Sequence, residues 1–295
     1  RIPQQEKMAS AKKDGIKIEG WNISSQKAPI SLSTELDKFQ DDFKVKPPEM
    51  VYFQNFLRVS HPASGFCMVF DTADALKLCA TVPGEEKSTE NAASSGTESI
   101  RVKMADQWDE RLNQPVIGGF EVKQVEQAFD WTYSTTYTGT VSTDPECENR
   151  VFGQARPTTM ELDLELLKRR DPILWHDDVI LFEDELADNG VAHLSVKVRV
   201  MPTFWLCLLR FWLRVDGVIL RVRDTRLFHK FGEDHVFQSS EWREITFEDL
   251  KKRRFPVDSN FYSDPNQFAP RIPVVRSAKA VIPLTENSNN TATAE

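Results

Sequence analysis

The stretch VAHLSVKVRVMPTFWLCLLRFWLRVDGVILRVRDTRLF, residues 191–228, is the most apolar part of the chain and one of the richest in arginine. Asp216-Gly217 lies between two runs of strand-forming residues, the strongest short-range signal for a hairpin. A two-residue loop there pairs Val215 with Val218, Leu213 with Leu220 and Phe211 with Val222. Side chains alternate along a strand, so these residues share one face. Leu209, Phe211, Leu213, Val218, Leu220 and Val222 are thus expected in the core. The opposite face carries Arg210, Trp212 and Arg214 across from Arg223, Arg221 and Ile219, a basic aromatic strip. A helix over Phe204–Val215 would ignore the Asp-Gly turn and the β-branched residues after it. Arg210 and Arg214 also keep the run well short of the roughly 20 apolar residues of a membrane span.

The 295 residues suffice for one large domain with a sizeable core. Lys and Arg total 37 against 45 Asp and Glu, a net charge of −8. Such a balance argues against nucleic acid as the main partner, since phosphate binding needs a dominant positive field. The arginine strip is therefore a local exception on an acidic protein. Cys67, Cys79, Cys147 and Cys207 show no CxxC spacing, which fits a reducing cytoplasmic or nuclear location. Cys207 reads as a small buried hydrophobe. No stretch reads as a signal peptide or a membrane span.

Working outward, residues 1–14 read as a flexible N-terminal segment, 15–283 as a single domain and 284–295 as a disordered tail. Gly15–Ile23 alternates as a first strand. Ser31 or Ser33 caps a helix with Leu36, Phe39 and Phe43 at helical spacing, ended by Pro47-Pro48. Strands follow within Met50–Val59 and over Phe66–Phe70, and Asp71–Leu76 opens a helix. Residues 81–99 and 141–150 read as mobile loops. Phe129–Thr140 reads as a strand. Thr158 and Glu161 form a capping box for a helix reaching about Arg170. Val179–Phe182 is a short strand, and Thr246 caps a helix ending in Lys251–Arg254.

No phosphate-binding glycine loop, nucleophile elbow or metal-ligand cluster is present in the sequence. His176 to Glu185 is the best place for an unrecognised active site, though an acidic run usually means a solvated face. The strip could equally be a solvated face whose arginines pair with Glu183–Glu185. Against that, the two-residue loop sets Arg210 beside Arg223, and like charges directly opposite destabilise a sheet. It also pairs Trp212 with Arg221, leaving a large aromatic in water. A partner bringing carboxylates and apolar groups relieves both problems, and Trp and Arg are the residues most enriched at binding hot spots.

Several segments resemble the TOR signalling pathway regulator-like family, the TIPRL-type proteins. They are PEMVYFQNFLRV at 48–59, FDTADAL at 70–76, DWTYSTTYTGT at 130–140, PTT at 157–159, LFEDELADNGVAHLSVKVRVMP at 181–202 and RFWLRVDGVILRVRDTRLF at 210–228. The resemblance spans about residues 15–275. It implies an α+β domain of antiparallel sheets, sandwich-like in its core and flanked by a few helices. It implies a regulator without catalysis or cofactor of its own. Its partners would be the catalytic subunits of type 2A, 4 and 6 protein phosphatases, restrained in TOR signalling, with a link to alpha-four, and neither nucleic acid nor membrane. By resemblance Asp74, Leu162, Asp224 and Arg226 are contact candidates, followed by the strip residues Arg210, Trp212, Arg214, Arg221 and Arg223. Asp74 and Asp224 could instead satisfy local backbone donors. A basic aromatic strip would suit the flexible, acidic C-terminal tail of a catalytic subunit.

Overall fold

Residues 191–228 form three adjacent strands at the centre of an eight-stranded antiparallel sheet. The computed structural model describes residues 11–43, 46–79, 100–102, 127–129, 133–142, 154–186, 189–255 and 259–284. The three strands are β11 (Gly190–Val200), β12 (Phe204–Val215) and β13 (Ile219–Lys230). Beyond β11 lie β10 (Trp175–Asp184) and the short β3 (Met50–Val51). Beyond β13 lie β14 (His235–Thr246), β15 (Val274–Pro283) and the short β9 (Arg156–Pro157).

The central hairpin is real, but its register differs from the expected one. Val215 pairs with Ile219, so Val218 joins Asp216 and Gly217 in a three-residue loop, closed by the Val218 N–H on the Val215 carbonyl at 3.0 Å. A two-residue I′ turn needs positive φ at both central residues. Here Gly217 has it (φ 75°) and Asp216 does not. Adding one residue to the loop turns every side chain of β13 to the other face. Arg210 now lies opposite Asp224, Trp212 opposite Val222 and Leu213 opposite Arg221. The expected arginine-against-arginine strip does not exist.

A second, five-stranded antiparallel sheet covers the inner face. It is built from β1 (Lys12–Ile18), β2 (Trp21–Lys27), β4 (Phe56–His61), β5 (Phe66–Asp71) and β8 (Thr140–Val141). The expected first strand is in fact a hairpin, turned at Glu19 and Gly20, both with positive φ (47° and 79°). Trp21 then enters the core, its ring centroid 4.9 Å from that of Trp205 on the opposite sheet. Inward-facing Leu57, Val59, Phe66, Phe70, Val196, Leu209, Phe211 and Leu213 fill the space around it. Each such fully buried side chain contributes roughly 1.5–3 kcal/mol. Cys207 is buried among them, as expected.

Helices complete the domain, whose class is α+β. α1 (Ser33–Phe43) and α2 (Thr72–Lys77) flank the smaller sheet, α2 capped by the Asp71 carboxylate on the Asp74 N–H. α3 (Leu164–Lys168) is shorter than the helix expected there. Its cap is Asp163, which accepts from the Leu166 N–H at 2.9 Å, while Glu161 pairs with Lys279 across the sheet. Leu162 thus precedes the helix rather than sitting on its first turn. α4 (Phe247–Lys252) is capped by Thr246 as the sequence indicates, and α5 (Pro265–Phe268) follows between two 3-10 turns.

A two-stranded ribbon pairs β6 (Ile100–Val102) with β7 (Gln127–Phe129). Residues 133–139 are not a strand. They are pinned by side chains instead: the Thr135 hydroxyl donates to the Ala75 carbonyl, and the Tyr137 hydroxyl to that of Val69. The expected loop at 81–99, most of that at 141–150, residues 1–10 and all but Leu284 of the tail lie outside the described residues.

Candidate functional site: a polar groove on the outer face

The outer face of the large sheet is covered at two places and open between them. At one end Trp212, Leu220, Val222 and Ile245 pack beneath Leu250 of α4, Tyr262 and Phe268 of α5. At the other, Met201, Phe204, Phe228 and Phe237 pack beneath Leu166 of α3. Strand alternation places the polar residues of β12 to β15 in the gap. The result is a groove of about 300 Å3, floored by Arg226, Ser239, Glu241, Ser277 and Lys279 and walled by Leu162 and Leu164.

A chain of ion pairs runs across the floor. Asp224 takes two bonds from Arg210, Nε and Nη2 both at 2.7 Å, and one from Arg226 at 2.7 Å. Glu241 lies opposite Asp224 on β14 and is held by Arg243 at 3.1 Å and Arg226 at 3.7 Å. Two adjacent carboxylates would repel. Three guanidinium groups surround them, so this network carries one net positive charge. Burial works against the Arg210 charge and the Asp224 carboxylate outweighs it, holding the Arg210 pKa above its ordinary value. Two parallel bonds to one carboxylate fix geometry as well as charge.

Among the candidate residues, Leu162 and Arg226 meet in this groove, and Arg210 and Asp224 support it from below. Asp224 is buried, with its side chain 4% exposed, so it orients Arg226 rather than offering itself to a partner. Trp212 is buried against Phe268, with ring centroids 6.2 Å apart. Arg214 lies 2.8 Å from the Asp216 carboxylate and reaches the Ser263 hydroxyl. Arg221 and Arg223 lie on the inner face, contrary to expectation. Arg221 is buried against Glu244 and Ser134, both at 2.6 Å, and Arg223 donates to the Thr135 carbonyl and stacks 4.3 Å from the Trp242 ring.

Asp74 is remote from the groove, since the 133–139 segment that α2 holds packs on the inner face of the sheet. Its carboxylate takes the Lys77 ammonium at 2.7 Å and the Thr140 hydroxyl at 2.8 Å, and the side chain is 32% exposed. The Lys77 bond is the main cause holding its pKa below the usual carboxylate range. Glu241, Ser277 and Lys279, which complete the groove, were missed because β14 and β15 give only weak alternation in the sequence.

Three of the carboxylates of His176–Glu185 bind elements of the fold. Asp177 binds the Ser25 hydroxyl and the Lys27 ammonium of β2. Asp178 pairs with Lys197 at 2.7 Å, and Asp184 accepts the Glu49 and Leu186 N–H groups. Among the described residues, only Glu233, Asp234 and half-buried His235 bring three metal-ligating atoms together.

Two histidines make stability depend on pH. Burial pushes the His193 pKa down to about 4, and burial also lowers that of His229. Below pH 6.5 the unfolded chain takes up protons that folded His193 refuses until about pH 4. Stability should therefore fall as pH drops through that window. Urea unfolding midpoints at a series of pH values should show the fall, and His193→Asn should make it shallower.

The outer face thus carries a groove with a fixed ion-pair floor and apolar walls. Comparisons with known proteins show the family. The TIP41-like family model matches residues 50–251, more than half of the chain. A TIP41-like protein of Dictyostelium discoideum is 38% identical over 94% of this chain and 95% of its own length. One of Arabidopsis thaliana is 36% identical over 89% and 88%. A Saccharomyces cerevisiae relative, named type 2A phosphatase activator TIP41, is 34% identical over 90% and 74%. The chain belongs to the TIP41-like family, as the sequence resemblance indicates.

Proposed function

We propose that this protein is a non-catalytic regulator that binds catalytic subunits of type 2A-family protein phosphatases in the cytoplasm. The observation that carries the reading is family membership: the match covers 95% of the Dictyostelium relative and 74% of the yeast one, which is named for type 2A phosphatase. The groove supports it: a mildly positive, apolar-walled channel fits an acidic segment with apolar residues. Leu162 and Arg226 are its proposed contact residues, and Asp74, partly exposed on the other flank, is a separate one. The finer expectations are that type 4 and type 6 subunits bind as well, that alpha-four joins them, that binding restrains activity, and that the setting is TOR signalling. The yeast relative's name points to activation, so the direction of regulation needs its own assay. Purified chain is mixed with a type 2A catalytic subunit, and binding and hydrolysis of a phosphopeptide are followed together. Binding with reduced turnover is expected. Binding with raised turnover overturns restraint alone, and no binding at micromolar concentrations overturns the reading itself.

A further inference from the structure

β15 is paired along one edge by β14, but along the other only near its end. There β9 sets Arg156 against Val281 and Pro157 against Ala280, and the Thr158 N–H reaches the Lys279 carbonyl at 3.1 Å. The chain then turns away toward the Asp163 cap. Among the described residues no strand pairs with this edge from Val274 to Ala278. Main-chain groups on one edge come from alternate residues, and Lys279 uses this edge, so Ser277 offers its N–H and carbonyl here too. The stretch is exposed, Val275 by 61% and Val274 by 43%.

The charge at this edge says what fits it. Arg276 stacks 4.7 Å from the Trp242 ring, whose ring Arg223 also approaches, at 4.3 Å. Among the described residues the Arg276 guanidinium has no carboxylate within 4.0 Å. An edge cation and the bulge between Trp242 and Arg243 are devices that keep a sheet from adding a second copy of itself, which would bring its own Arg276. An acidic strand reverses the sign of that interaction.

We propose that the β15 edge from Val274 to Lys279 is a strand-addition site for an extended acidic segment of a partner protein. Main-chain bonds to Ser277 supply register, and alternate side chains supply selectivity. Acidic residues on one face meet Arg276 over Trp242. Apolar residues on the other meet Leu164, 59% exposed at the mouth of the groove. The site stands whether or not the partner is a phosphatase.

The test is fluorescence anisotropy of the whole chain with a labelled, end-blocked nonapeptide alternating glutamate and valine. Saturable binding that weakens with salt is expected. Ser277→Pro removes an outward N–H and no bond to β14, so the protein should melt as before and bind about tenfold more weakly. Arg276→Glu leaves every main-chain bond in place and should weaken binding likewise. Unchanged binding in Arg276→Glu overturns the proposal even if Ser277→Pro melts early. Equal binding of a lysine-valine peptide overturns it too. So does self-association of the free chain that Ser277→Pro abolishes, because a second copy would then be the occupant.

Discussion

Replacing Gly190 by alanine should destabilise the protein by roughly 3 kcal/mol or more, the largest effect expected of any single change outside the hydrophobic core. Gly190 opens β11 at φ 154°, a conformation side chains rarely adopt. A Cβ there would lie 1.8 Å from the Arg214 carbonyl oxygen and 2.8 Å from its carbon. Both are main-chain atoms held in the β11–β12 ladder, where Gly190 pairs with Val215, so no flexible side chain can give way. The strain would be relieved only by parting the two central strands where they begin. Urea unfolding should show a much lower midpoint. Gly217→Ala, also at positive φ but with nothing within 4 Å of a Cβ, should lose only about 1 kcal/mol.

Asp224→Ala should cost about 3 kcal/mol, at the lower end of what breaking a buried ion pair costs. The loss comes from what is left behind. Arg210, with 13% of its side chain exposed, loses both bonds to Asp224, and Arg226, at 26%, loses its anchor. Arg210 would keep Asn266 at 2.7 Å, and Arg226 would keep the longer contact to Glu241 at 3.7 Å. Removing both charges of the tight pair, as in Arg210→Met with Asp224→Leu, should recover much of the loss. Chemical unfolding of the two single variants and the double variant gives the coupling directly. Asp224 is therefore a poor probe of binding, because its loss disturbs the floor before any partner arrives.

The two-sheet antiparallel architecture was legible because alternation and turn residues agree over residues 191–228. The register was not, because Asp-Gly suggests a two-residue loop and nothing local announces that Val218 joins it. A longer-range signal was present. The two-residue register sets Arg210 against Arg223, whereas a shift of one sets it against Asp224 in the RDTR run. Charge complementarity across the hairpin should have outweighed the commonest turn length. The same shift explains the fate of the candidate site. Trp212 keeps its outer face, where the shift brings Leu220 and Val222 beside it in a second core beneath α5; Arg221 turns inward to Glu244, and Arg226 comes to face Leu162. That pairing joins β13 to a segment more than sixty residues earlier in the chain. The far side of the groove's floor depends on β15, whose run VVRSAKAVIP mixes small, charged and apolar residues without a clean period. Residues 133–139 were misread for a related reason. Their threonines and tyrosines favour strands, but hydrogen bonds to Ala75 and Val69 fix an irregular path instead.

The Leu162–Arg226 groove is the proposed contact for a type 2A phosphatase catalytic subunit. Its most direct test is the dissociation constant of the purified pair, measured by calorimetry for the natural chain and for Leu162→Asp with Arg226→Glu. Leu162 is half-buried at the wall and Arg226 lies at the rim of the network, so thermal melting must first show that the variant is folded. The folded variant should bind about tenfold more weakly, as expected for reversing charge and polarity at a contact surface. A folded variant that binds the catalytic subunit as tightly as the natural chain would contradict it.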